Sequence, residues 1–133
     1  MDNKERKEAR YIAQIWLAIN YYEGLFNQPI ILVGDFNSNK IWDKKKRLGT
    51  HSDVVNHLDK KEIISIYHKT TLENQGEETQ PTFFLHRKKE KAYHIDYCFT
   101  SKFFWSKKIT FNVGNYEDWI NLSDHTPIEI EIK

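Results

Sequence analysis

The chain has 133 residues, 39% hydrophobic and 29% charged, the make-up of one soluble globular domain with a modest core. With 20 basic and 19 acidic side chains the net charge is +1, so no global field calls for a nucleic-acid or membrane partner. One cysteine, Cys98, excludes an internal disulfide and a multi-thiolate metal site and fits a reducing compartment. Residues 2–8 lack the apolar core of a signal peptide, and no apolar run approaches transmembrane length. The expectation is a cytoplasmic protein with no membrane partner.

Ala9, Ile12, Ala13, Trp16 and Ile19 recur at helical spacing, which predicts an amphipathic helix from about Lys4 to about Glu23, with Gly24 as its stop. After Pro29, Ile30-Ile31-Leu32-Val33 reads as a fully buried strand, because the run is short and rich in β-branched residues. Gly34 is expected to end that strand and turn the chain. Asp35 and Asn37 follow it, a carboxylate and an amide able to point into a cleft at a strand end, where catalytic groups of open α/β sheets gather.

A polar, basic loop comes next, with Trp42 beside Lys44-Lys45-Lys46-Arg47. Thr50 and Asp53 then form the signature of a capping box, opening a second helix whose apolar side is Val54, Val55 and Leu58. His51 and His57 have no carboxylate or cysteine partner at metal spacing and read as helix-surface or cap histidines. Ile63–Tyr67 is a strand candidate, and 70–80 is a polar loop. Residues 82–86 and 93–99 read as a hairpin joined through Arg87–Lys91. In its second strand Tyr93, Ile95, Tyr97 and Phe99 share one face, and His94, Asp96 and Cys98 the other. A mid-strand carboxylate is expensive to bury without a partner, which singles out Asp96. Phe103, Phe104 and Trp105 read as core packing, Ile109, Phe111 and Val113 as a strand, and 115–122 as a loop or short turn. Ile128-Glu129-Ile130-Glu131-Ile132 alternates as a half-buried strand with glutamates outward.

Three blocks stand out: Gly34-Asp35-Phe36-Asn37, His94-Ile95-Asp96-Tyr97 and Ser123-Asp124-His125. In this order the chain resembles the endonuclease/exonuclease/phosphatase family of deoxyribonuclease-I-like, metal-dependent phosphoesterases, and its bacterial branch in particular. The resemblance runs from end to end of the chain and covers the second half of the family's domain. It implies an α/β fold, half of an αββα sandwich, with mainly one mixed or antiparallel sheet and covering helices over 1–133. It implies that Asp35 polarises or deprotonates the attacking water, that Asn37 holds that water and a phosphoryl oxygen, and that His125 meets the phosphate. Asp96 would bond the other nitrogen of His125 and fix its tautomer. Asp124, together with Asp35, would bind Mg2+, or Mn2+ in its place.

Substrate contacts are expected from Asn39, Trp42 and His94. A nucleic-acid substrate is suggested by the basic run beside Trp42, whose indole can stack on a base or sugar. The family's preceding half brings an early asparagine, a metal-binding glutamate and a tyrosine–histidine pair, and none of these has a counterpart here. One sheet with its helices would leave an apolar inner face that calls for a missing N-terminal half or self-association. Two functions are thus expected from the sequence: the C-terminal part of a Mg2+-dependent phosphodiesterase, most simply a nuclease, or a catalytically silent half-domain that binds nucleic acid or protein.

Overall fold

The computed structural model describes residues 11–45, 47 and 49–133. Helix α1 spans Ile12–Tyr21 and buries Ile12, Ala13, Leu17 and Ile19, the stripe its periodicity predicts. The expected start of that helix, from Lys4 through Ala9, lies outside the described residues. Its end is corrected: a 3-10 turn, Glu23–Asn27, follows Tyr22, and Gly24 lies inside that turn rather than stopping the helix.

Strand β1 spans Ile31–Asp35, α2 His51–Asp59 and β2 Ile63–Ser65. Helix α3 spans Ile66–Thr71, so the strand expected over Ile63–Tyr67 is half strand and half helix. The capping box at α2 forms as expected: Thr50 accepts from the Asp53 amide, and the Asp53 carboxylate accepts from the Thr50 amide.

The predicted hairpin is corrected. Strand β3 is Phe83–Phe84 and pairs antiparallel with β4, Ala92–Tyr93. The chain then leaves this pair at His94–Ile95 and starts β5, Asp96–Ser101, in a different sheet. Thr82 accounts for the break. Its buried hydroxyl accepts from the amides of Ile95 (3.1 Å) and Asp96 (3.2 Å), so these donors are satisfied off the ladder.

The main sheet has the order β1-β5-β2, with both pairings antiparallel. Strand β6, Ile109–Val113, pairs antiparallel with β7, Ile128–Ile132, whose glutamates point outward as expected. Between them a single helical turn, α4, covers Tyr116–Trp119. The described chain is therefore mixed α/β with small antiparallel sheets, the three-stranded one and two separate pairs, where mainly one sheet was expected.

One face of the main sheet packs on α1 and α2: Leu32, Tyr97 and Phe99 meet Ile12, Ile19, Val54 and Leu58. The other face carries Ile31, Val33 and Asp35 opposite Thr100, Cys98 and Asp96. Ile31 and Val33 are 43% and 58% exposed, so β1 is not the fully buried strand expected from its composition. It is an edge strand covered by helices on one face only. Phe103 is likewise exposed rather than core.

Gly49 positions the loop before α2. Its φ of +62° favours glycine, and a Cβ there would lie 2.8 Å from Trp16 Cβ and 3.2 Å from Ala13 Cα. Gly49→Ala is expected to destabilise the fold by about 2 kcal/mol, since strain and a clash with α1 add. A urea midpoint equal to that of the wild type would show that α1 does not rest on this loop.

Candidate active site

Strand register creates the site. Asp35 and Asp96 are direct partners across β1 and β5, which puts two carboxylates side by side on one face. Like charges directly opposite repel, so the pair needs a third group between them. His125 supplies it. Its Nδ1 lies 2.9 Å from Asp96 Oδ2, and its Nε2 lies 3.7 Å from Asp35 Oδ2. The first contact is a hydrogen bond that orients the ring. The second is too long for one, leaving both atoms free to meet a third group.

The His125 segment is held to β3 by backbone. Phe84 N–H donates to Asp124 O (2.8 Å), and Thr126 N–H donates to Thr82 O (2.8 Å). The His125 amide donates to Ser123 Oγ, and its ring packs on Phe83 at 4.9 Å between centroids. Thr82 thereby links the Asp96 and His125 segments, a role not anticipated from the sequence. Nothing local marks it, because its partners lie on segments distant in the chain.

Gly34 does not end β1; the strand runs one residue further, to Asp35. Its φ of 149° is one that side-chain-bearing residues avoid. Asn37 then turns the chain with φ +48°, a conformation asparagine tolerates, and its amide donates to Asp35 Oδ1 at 2.8 Å. Asp35 is thus held through one oxygen and presents the other.

Two residues expected on the substrate are corrected to a supporting position. Asn39 is buried: its Nδ2 donates to His94 O (2.9 Å) and Glu78 Oε2 (3.1 Å), while its Oδ1 accepts from the Ile41 amide. His94 is buried against Tyr67, with Nδ1 2.7 Å from Gln80 O, and burial pushes it below the usual imidazole range. His51 is not a surface histidine either. It is 2% exposed and bonds Ser38 Oγ (3.0 Å) and Gln75 Oε1 (2.7 Å). These groups form a floor beneath the Asp35–Asn39 loop, and the Tyr97 hydroxyl completes it by donating to Ser38 O at 2.8 Å.

Glu78 anchors that floor. It lies in the stretch read as a plain polar loop, yet its side chain is 3% exposed. Burial alone would raise its pKa. Hydrogen bonds from His68 (2.8 Å), the Gly76 amide (3.0 Å) and Asn39 outweigh that and hold it at about 2. Glutamate in a polar loop carries no signal of burial, so sequence reasoning missed it.

Trp42 is half-exposed, and its ring lies 5.1 Å from that of Tyr93. Lys44, Lys45 and Arg47 are exposed beside it; Lys46, of the same basic run, lies outside the described residues.

Among the described residues, Asp35, Asp96 and His125 are the only cluster whose ligand atoms lie within 4.8 Å of one another; Asp124 is not part of it. The donor set is hard oxygen plus one imidazole, with Nδ1 of that imidazole committed to Asp96. Magnesium is commonly held by one or two carboxylates with water and substrate phosphate completing its shell, and the exposed oxygen of Asp35 fits that use. Cys98, the lone thiol, is buried and pushed up to about 11 by desolvation, so it offers no thiolate.

Fold and geometry together define a mixed α/β chain bearing a carboxylate–imidazole–carboxylate cluster at the ends of paired strands. No family model matches this sequence, and no curated protein matches it either. No helix among the described residues is long and apolar enough to cross a membrane.

Proposed function

We propose that this chain is the C-terminal part of a Mg2+-dependent phosphodiesterase with a half deoxyribonuclease-I-like sandwich, acting on nucleic acid. The observation that carries this reading is His125 between two carboxylates, its Nδ1 bonded to Asp96 and its Nε2 facing Asp35 across 3.7 Å. Hydrolysis of a phosphodiester needs a positioned water, positive charge on the phosphate and a donor where charge builds up. Asp35 takes the proton of the attacking water, which Asn37 helps to hold. The water oxygen bonds to phosphorus, the ester P–O bond breaks, and the departing alkoxide takes a proton from solvent to leave as an alcohol, while Asp35 returns its proton to solvent.

His125, in its charged form with Nδ1–H given to Asp96, offers Nε2–H to a phosphoryl oxygen. Asp35, with water and substrate phosphate completing the shell, would hold a magnesium ion, which when bound supplies further positive charge on the phosphate; Asp124, expected beside it, lies outside the cluster. The exposed Lys44, Lys45 and Arg47 favour a polyanionic substrate.

The test is turnover of bis(p-nitrophenyl) phosphate and of plasmid DNA, with magnesium and with chelator, for the wild type beside His125→Ala. Metal-dependent turnover that vanishes in the variant supports the reading. A folded wild type that turns over neither substrate, or that does so equally well with chelator, sinks it and leaves a binding half-domain.

A further inference from the structure

A recess of about 240 Å³ opens between the start of α1, the loop after β1 and the start of α2, lined by Tyr11, Asn37, Trp42, Asp43, Arg47 and His51 among others. Asn37, whose backbone amide donates to Asp35, lies on the edge of the recess. Its polar floor is already satisfied. Both Asp43 oxygens take hydrogen bonds from the start of α2, from the His51 amide, the Ser52 amide and the Ser52 hydroxyl. Ser38 and His51 bond each other, and Gln75 takes the remaining ring nitrogen of His51. A ligand entering the recess would therefore meet exposed groups of the rim: the rings of Trp42 and Tyr11, the Asn37 amide and the Arg47 guanidinium.

Those groups select a chemistry. Aromatic faces with a guanidinium beside them suit a flat ring joined to an anion. The Trp42 ring is preset by its contact with Tyr93, so little rotamer freedom is lost when a second ring stacks on it. Lys44 and Lys45 keep the rim positive, while Asp43 has its charge taken up by donors of α2.

We infer that this recess is a subsite for one nucleotide, its base against Trp42 and its phosphate toward Arg47. Placing the next phosphate of the chain at His125 rests on the phosphodiesterase reading above; the recess itself does not.

The probes are a nucleoside 5′-monophosphate and ribose 5-phosphate, titrated into the full chain and followed by tryptophan fluorescence and amide chemical shifts. The monophosphate is expected to quench fluorescence in the wild type and to shift amides within 37–43 and at Arg47. Trp42→Leu is expected to remove the quench, and Trp42→Leu and Arg47→Ala each to weaken binding about 10-fold or more. Ribose 5-phosphate, lacking the ring, should bind at least 10-fold more weakly than the monophosphate. Equal binding of the two probes, or shifts that avoid 37–43, overturns the subsite even where the Trp42 variant fails to fold. Wild-type turnover of bis(p-nitrophenyl) phosphate reports separately. Turnover without nucleotide binding removes the subsite alone, and binding without turnover removes the hydrolase reading alone.

Discussion

His125→Ala is expected to lower phosphodiester hydrolysis by about 10³-fold, within the range that a positioned acid–base group contributes. The fold should barely notice. The side chain is 29% exposed, and the contacts that pin its segment to β3 are backbone ones. Removing the imidazole leaves Asp35 and Asp96 facing each other across the ladder, a repulsion of about 0.5–1 kcal/mol. Asp96→Asn keeps a hydrogen-bond acceptor near Nδ1 but removes its charge, and is expected to cost roughly 10- to 100-fold by loosening ring orientation. Steady-state rates beside urea midpoints separate these effects. A loss of rate matched by a loss of several kcal/mol in stability would mean that His125 is a packing residue.

Glu78→Ala is expected to be among the most damaging single changes to the fold, at about 2–4 kcal/mol, because it removes a buried acceptor shared by several donors. It removes the acceptor of the His68 Nε2, Gly76 amide and one Asn39 Nδ2 hydrogen bond at once. Asn39 is also the residue that joins this floor to the loop bearing Asp35 and Asn37, so activity should fall with stability. The pH dependence carries a sign. Glu78 has its pKa lowered from 4.5 to about 2 in the fold, so its contribution is fully present above pH 4.5. It is lost as pH falls toward 2, on the order of 3 kcal/mol in all. Urea midpoints measured from pH 7 down to pH 2.5 should show this acid slope in the wild type and not in Glu78→Ala. Coincident curves for the two proteins would remove the network from any account of stability.

Local features were legible in the sequence because neighbours within a few residues decide them. The α1 stripe, the Thr50–Asp53 capping box and the β6 and β7 alternations follow from helical and strand periods and from one side chain reaching three residues. Asp35, Asp96 and His125 were legible as motif residues, each beside or within a strand. Their mutual geometry was not: the register that sets Asp35 against Asp96 joins residues far apart in the chain, and His125 reaches Asp96 across 29 positions.

The same distance accounts for the misplaced roles. Asn39, His94 and His51 are polar residues near a motif, which by type suits them to substrate contact or to a surface. Burial, a property of the packed whole, made them the floor instead. The break at His94–Ile95 followed from the Thr82 hydroxyl 13 residues earlier, although the sequence alternates without interruption there. By itself, then, the sequence determined the elements with short-range causes and the residue types available for chemistry. The tertiary structure alone decided which carboxylates meet, which histidine stands between them and which polar groups lie beneath, because hydrogen-bond satisfaction and desolvation are settled only when distant segments close on one another.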